Sequence, residues 1–403
     1  MAGLLTPKPC MDCGGDPVFH RLTRWSIVLE SLLSIFSVPG EKFSRVSTPI
    51  TDRVFNLTLP RFFLLLEKVG LGTTTYEVDD RDFKYVTHVL WEEANKRGIA
   101  MRQFRPFGMV KHIFIAERDG KRVVFERIPV PVGVSRGVSW IDDKADLKKA
   151  LIANNLPAAK GHAVSTEKGA VQLFRSLRHP VIVKPHQGSG TRHTTLHIKD
   201  EAELLRAFRV AKRVSPKVMI EEELSGPVYR PTVVGGSLAA TIERNQPAVF
   251  GDGVSTIQQL IAKENEHPKR QGPIFSHMQI TDITERELKR QGFTLESIPK
   301  KGMRVELHQK INWSVGGHTK DVTDLVHEDN RVLFEQVARL VNAPVVGIDF
   351  IIEDISKSWK DQNMCGVIET NSMPFFDTHH VPFEGKPRNV ASAIWEEVFP
   401  TSN

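Results

Sequence analysis

Residues 345–374 read VVGIDFIIEDISKSWKDQNMCGVIETNSMP. Two apolar runs, 345–350 and 364–370, are separated by a polar crossing and have the length and composition of buried strands. Each run ends in acid. Asp349 closes the first, and Glu369 with Asn371 closes the second. An ionised carboxylate buried without a partner is expensive, so such strands predict a partner for it. Three oxygen ligands on adjacent strands suit a hard cation such as Mg²⁺, which takes one or two carboxylates and fills its shell with water and substrate phosphates. The bland alternative is a pair of strand-end carboxylates facing solvent.

The chain has 403 residues, enough for two or three domains with their own cores. Hydrophobic residues make up 40% and charged residues 25%, as in an ordinary globular protein. The formal net charge of +6 suits anionic substrates. Lys and Arg are spread along the chain without a basic stripe or interleaved aromatics, which argues against a nucleic-acid partner. Three cysteines, Cys10, Cys13 and Cys365, point to a reducing compartment, and a cytoplasmic protein is expected. Cys10 and Cys13 form half of a zinc knuckle. His20 could add a third ligand, but a structural zinc site needs four, and an irregular N-terminal turn is the favoured reading. The apolar run 27–38 is too short and too polar to span a bilayer, so no membrane role is expected.

The first third, residues 1–135, alternates helix and strand, with helices over 21–37 and 82–97 and strands over 100–104, 109–117 and 121–129. The last two strands are joined as a hairpin at Asp119-Gly120. This third carries no constellation with an assignable chemistry.

Chemistry enters in the block 136–226. A strand over 180–185 delivers Lys184 to a small-residue loop containing Gly188, Ser189, Gly190, Thr191 and Arg192. Glycines let backbone N–H groups close around phosphate oxygens, and Lys184 supplies charge. The loop lacks the Gly-Lys-Ser/Thr ending of a Walker A motif, and a plain hairpin turn explains it equally well. A later strand, 218–224, ends in Glu221, Glu222 and Glu223. The remaining block, 227–403, opens with a hairpin at Gly235-Gly236. It continues with a helix capped at Ser255-Thr256, a helix over 330–341, the two acid-ended strands and a final helix over 391–399.

Taken together, Gly251-Asp-Gly-Val-Ser-Thr-Ile, Gly316-Gly317 with Asp321-Val-Thr-Asp, Gly347-Ile-Asp349, and Glu369-Thr-Asn371 with Pro374 resemble ATP-grasp carboxylate–amine ligases. The likeness is to the ATP-grasp domain of cyanophycin synthetases and fused glutathione synthetases, and it covers about residues 140–400. It implies an α+β fold of two subdomains clamping ATP (136–226 and 227–403) after an N-terminal α/β domain. It further implies that Lys144 and Lys184 bind the nucleotide and that Glu221, Glu222 and Leu224 form the adenine hinge. Gly188, Ser189, Gly190 and Arg192 would cover the phosphates, with Lys184 and Arg192 catalytic. Asp349, Glu369 and Asn371 would hold two Mg²⁺ ions, with Mn²⁺ as an alternative.

The implied activity is ATP-dependent activation of a carboxylate as an acyl phosphate, followed by capture by an amine of an amino acid or peptide. No loop of the Mur-ligase type is present, so a cyanophycin synthetase-like ligase without that module is expected. A glutathione synthetase-like dipeptide ligase and a degenerate nucleotide-binding module remain alternatives, and a homo-oligomer is the family-level expectation. Several positions depart from the family pattern. Thr191 and His193 replace glycines, Val228 replaces an acid, and His308 stands where an arginine is typical. Phe375 and Asp377 stand where Gly and Arg are usual. Asp377 and His379 are therefore candidate substrate contacts, with Asp377 expected to face a cationic group.

Overall fold

A computed structural model of the chain describes residues 62–63, 65–76, 85–106, 113–125, 127–130, 144–186, 193–272, 274–309, 311 and 313–401. Cys10, Cys13 and His20, the expected helix over 21–37, and Gly188, Ser189, Gly190, Thr191 and Arg192 lie outside these residues.

The N-terminal third builds an antiparallel sheet in the order β1-β2-β3-β4. Its strands are β1 (Gly72–Thr75), β2 (Ala100–Pro106), β3 (Ile113–Arg118) and β4 (Lys121–Phe125). The expected hairpin forms at Asp119 and Gly120, both at positive φ (50° and 74°), as a primed two-residue turn requires. Helix α1 (Tyr85–Lys96) crosses between β1 and β2 and ends before Gly98, whose φ is +66°.

Helix α2 (Lys144–Ala153) leads into a second antiparallel sheet, ordered β5-β8-β6-β7. Its strands are β5 (Gly161–Val164), β6 (Val181–Pro185), β7 (Thr195–Ile198) and β8 (Val218–Glu222). Strand β7 starts two residues later than the apolar pattern suggests, because His193 sits at φ +54°. Helices α3 (Glu167–Ser176) and α4 (Glu201–Lys212) cover this sheet with Phe174, Leu204 and Phe208.

The hairpin β9 (Val228–Val234) and β10 (Ser237–Asn245) opens the third sheet. A unit with its own small core then intervenes, containing β11 (Ala248–Phe250), α5 (Ile257–Asn265), α6 (Asp282–Arg290) and β12 (Arg304–Glu306). Helix α5 begins as expected at Thr256, whose side chain forms a reciprocal capping box with Gln259. The sheet is completed by β13 (His318–Asp321), β14 (Val345–Ile351) and β15 (Gly366–Asn371), in the order β13-β10-β9-β14-β15. Helix α7 (Glu328–Val341) packs on it, with Phe334 edge-on to Phe350. Helices α8 (Asp377–His380) and α9 (Val390–Val398) close the chain. The β5–β8 and β9–β15 bodies are the two α+β halves that the resemblance implies.

The cores cut the chain differently from the sequence blocks. Leu147 and Leu151 of α2 are buried with Ile348 and Val367 of the third sheet, and the Val367 N–H donates to Pro157 O. Residues 144–158 therefore pack on the third sheet, although they precede the second. The N-terminal sheet and α1 likewise share one core with α9 and with Val234, Ala240 and Val345. Trp395 of α9 stands edge-on to Phe125, and its indole N–H donates to Leu90 O at 2.9 Å.

Candidate active site

Antiparallel pairing of β14 with β15 places Glu369 opposite Asp349 and Asn371 opposite Gly347. Alternation along each strand then puts the Asp349, Glu369 and Asn371 side chains on one face. Gly347 lets Pro374 and Arg230 pack closely over that face. A Cβ there would lie 2.8 Å from Pro374 Cβ and 3.2 Å from Arg230 Cδ.

Asp349 is 5% exposed, and its partner in the structure is cationic protein. Arg230 of β9 binds both of its oxygens, through Nε to Oδ1 and through Nη2 to Oδ2 at 2.8 Å. Arg244 of β10 reaches both oxygens through Nη1 at 3.2 Å and donates through Nη2 to Ile311 O at 2.9 Å. Burial pushes the Asp349 carboxyl up, but the two guanidinium groups outweigh it and hold the group below the usual carboxylate range.

Glu221, at the end of β8, is the second anchor. It is 3% exposed and ion-paired to Lys148 of α2 and Lys184 of β6. Burial again pushes its carboxyl up, and the two ammonium groups bring it below the ordinary value. Burial lowers the Lys148 pKa more than Glu221 raises it. Lys144, one helical turn before Lys148, lies 3.9 Å from Glu369. One cavity is lined by Lys144, Lys148, Lys184, Glu221, Val367 and Ile368, and through Lys144 it lies beside Glu369, the strand partner of Asp349. Three lysines and one carboxylate thus line this cleft. A low-dielectric cleft with surplus positive charge favours a polyanion.

Among the described residues, no group of three or more His, Cys, Asp or Glu side chains stands together to hold a metal. Asp349 and Glu369 supply two oxygen ligands and the Asn371 amide a third, which is a donor set suited to Mg²⁺. The buried Asn371 Nδ2 has no hydrogen-bond partner, and the amide's two ends are assigned from its network, so an oxygen can occupy that position. The residues fit the ion in donor chemistry and shared face, with both Asp349 oxygens engaged by Arg230 and Arg244 in this structure.

Other expected positions sit differently. The Glu222 N–H donates to Lys160 O at 2.8 Å and the Glu223 N–H to Pro180 O at 3.1 Å, so both donors serve the sheet. The Glu222 side chain accepts from the Arg178 N–H, and Leu224 is half-buried. Asp377, expected to face a cationic ligand group, is instead only 8% exposed, and its Oδ1 accepts from the Thr378 N–H. His379 is fully buried, with Nε2 2.8 Å from Thr232 Oγ1. Burial beside Arg230 drives its pKa down to about 3. Both candidate substrate contacts are thus buried in this structure.

Lys148, Arg230 and Arg244 were not foreseen. The spacing from Lys144 is a signal for Lys148. The two arginines are separated from Asp349 by 119 and 105 positions and meet it only through strand pairing.

No family model matches the chain. Cyanophycin synthetase of Trichormus variabilis is 29% identical over 321 residues, covering 78% of this chain and 35% of that protein. Cyanophycin synthetase of Crocosphaera subtropica is 31% identical over 330 residues, covering 78% of this chain and 36% of that protein. The crystal structure of a bifunctional glutathione synthetase from Pasteurella multocida superposes with a TM-score of 0.58 at 24% identity, over 78% of this chain and 43% of that one. The chain thus spans about a third of the length of these curated relatives.

Proposed function

We propose that this chain, which belongs to the ATP-grasp family and has its fold, is an ATP-dependent carboxylate–amine ligase acting on an amino acid or peptide. The observation that carries the reading is the cavity lined by Lys144, Lys148, Lys184 and Glu221, whose Lys144 lies 3.9 Å from Glu369, the residue opposite Asp349. Phosphoryl transfer asks a protein mainly for positioning and charge neutralisation. Lys144, Lys148 and Lys184 would meet the nucleotide phosphates from the cavity they line, with Arg230 and Arg244 beside Asp349 on the neighbouring sheet.

Asp349, Glu369 and Asn371 would hold Mg²⁺, with two ions expected and Mn²⁺ as an alternative. The metal neutralises phosphate charge when bound. The arginines are held in place by Asp349 and turn toward the anionic end of the nucleotide. In the first step a substrate carboxylate oxygen bonds to the γ-phosphorus and the bond to ADP breaks. In the second step an amine nitrogen bonds to the acyl carbon and inorganic phosphate leaves, the amine losing a proton. Lys144 and the guanidinium groups offset the charge that moves onto the transferred group in both steps.

The test is ADP release with ATP and Mg²⁺ against a panel of amino acids and dipeptides, with the product read by mass spectrometry. Formation of one ADP per amide formed is expected. Nucleotide binding without amide formation from any acid and amine pair would defeat the ligase reading.

A further inference from the structure

We propose that Trp313, Met373 and Phe375 form an aromatic subsite beside the Arg230–Asp349 face, and that the substrate bound there presents an apolar, aromatic side chain. This rests on the ligase reading and names the substrate class of the same site.

Three observations place the subsite. First, beyond Asn371 the burial alternates. Met373 is 41% and Phe375 38% exposed, whereas Phe376 is fully buried and Pro374 is buried. Second, Pro374 crosses directly over Gly347, on the face that carries Asp349 and Arg230. The two exposed apolar side chains therefore flank the residue that roofs the metal-binding face. Third, the Trp313 ring stands edge-on to Phe375, with centroids 6.0 Å apart at 76°. Trp313 is fixed there because Arg244, while holding Asp349, also donates to Ile311 O two residues earlier. The aromatic pair and the carboxylate are thus coupled through one guanidinium group.

One exposed and one half-buried aromatic ring with an exposed thioether beside a charged face form an adaptable apolar surface. Their chemistry suits a ring or a branched aliphatic group, and none of the three side chains carries a charge that could pair with a second carboxylate. Asp377, the nearest acid along the chain, is turned into the protein. An acidic side chain would lose its hydration here without compensation.

The experiment measures binding by calorimetry in the presence of a non-hydrolysable ATP analogue and Mg²⁺. The probes are phenylalanine, leucine and aspartate, and the dipeptides alanyl-phenylalanine and alanyl-aspartate. The aromatic probes are expected to bind about 10-fold or more tighter than their acidic counterparts, and Phe375→Ala to remove most of that preference. Phe375→Tyr should retain it. Phe375 is partly exposed, so its replacement leaves the core intact, and analogue binding in the same titration verifies the fold. Equal or tighter binding of the acidic probes overturns the inference, as does a preference that survives Phe375→Ala or failure of every probe to bind. Binding of the analogue itself reports separately on the nucleotide site, so a failed subsite is distinguishable from a failed ligase reading.

Discussion

Arg230 and Asp349 face each other from paired strands, and the guanidinium group engages both carboxylate oxygens. Arg244 adds a second cation to the same acid, so the anchor keeps surplus positive charge in a buried place. Removing the acid is therefore more than the loss of a metal ligand. Breaking a buried ion pair on one side costs about 3–5 kcal/mol. Asp349→Ala is expected to abolish ADP release and to lower the denaturation midpoint. Inorganic tripolyphosphate should then restore more stability to the variant than to the wild type. Near-normal turnover in the variant would remove Asp349 from the site.

Glu221 shares its charge between Lys148 and Lys184. Lys148→Met and Lys184→Met are each expected to weaken ATP binding about 10-fold, with modest loss of stability, since the other lysine still pairs the acid. The double variant leaves Glu221 buried alone and should be destabilised by more than the sum of the two. Its carboxyl would rise from its present depressed value, so the pair's contribution, now present above the unfolded carboxylate range and lost as pH falls through the folded pKa, would disappear at neutral pH. Additive, small effects in a double-mutant cycle would show that Glu221 is not the shared anchor.

Burial holds three histidines neutral, His318 and His380 at about 4 and His379 at about 3. Unfolding exposes each to its ordinary pKa near 6.5, so below that pH the unfolded chain binds the extra protons. Stability should fall as pH drops from about 6.5 toward 5, by up to about 1 kcal/mol per pH unit per histidine. Urea denaturation at pH 7 and pH 5 measures this. His380→Gln should flatten the dependence, and an unchanged slope would show that His380 contributes nothing to it.

Trp395 is fully buried between the N-terminal sheet and the third sheet. Trp395→Ala is expected to cost about 3–5 kcal/mol. Because α1 and β4 supply half of its surroundings, a chain lacking residues 1–130 should expose that apolar face and self-associate. Light scattering of the shortened chain checks this, and a monodisperse monomer would contradict the shared core.

Much of the site was legible from residues near one another in the chain. The apolar runs ending at Asp349 and Glu369 announced paired strands with acids that needed partners. Lys184 at the end of a strand and Glu221 at the end of another stood out for the same reason. Arg230 and Arg244 did not, because each sits in a strand whose alternation looks like that of any half-buried β-hairpin. Asp377 stood out because it replaces the arginine usual at that position, which carries no information about its burial. Here the short helix α8 turns it inward and gives its Oδ1 a backbone donor.

Local pattern thus sufficed for the strands, the capped helices and the oxygen ligands on β14 and β15, since period-two alternation and turn chemistry act over a few residues. What satisfies Asp349 depended on the fold. A buried carboxylate demands a counter-charge, but the demand is silent about its source. Pairing of β14 with β9, and of β9 with β10, supplied two arginines from more than a hundred positions away. The same long-range packing joined the N-terminal third to α9 and set Trp313 against Phe375. Those contacts follow from which apolar faces bury one another, and that is settled only when the whole chain has closed.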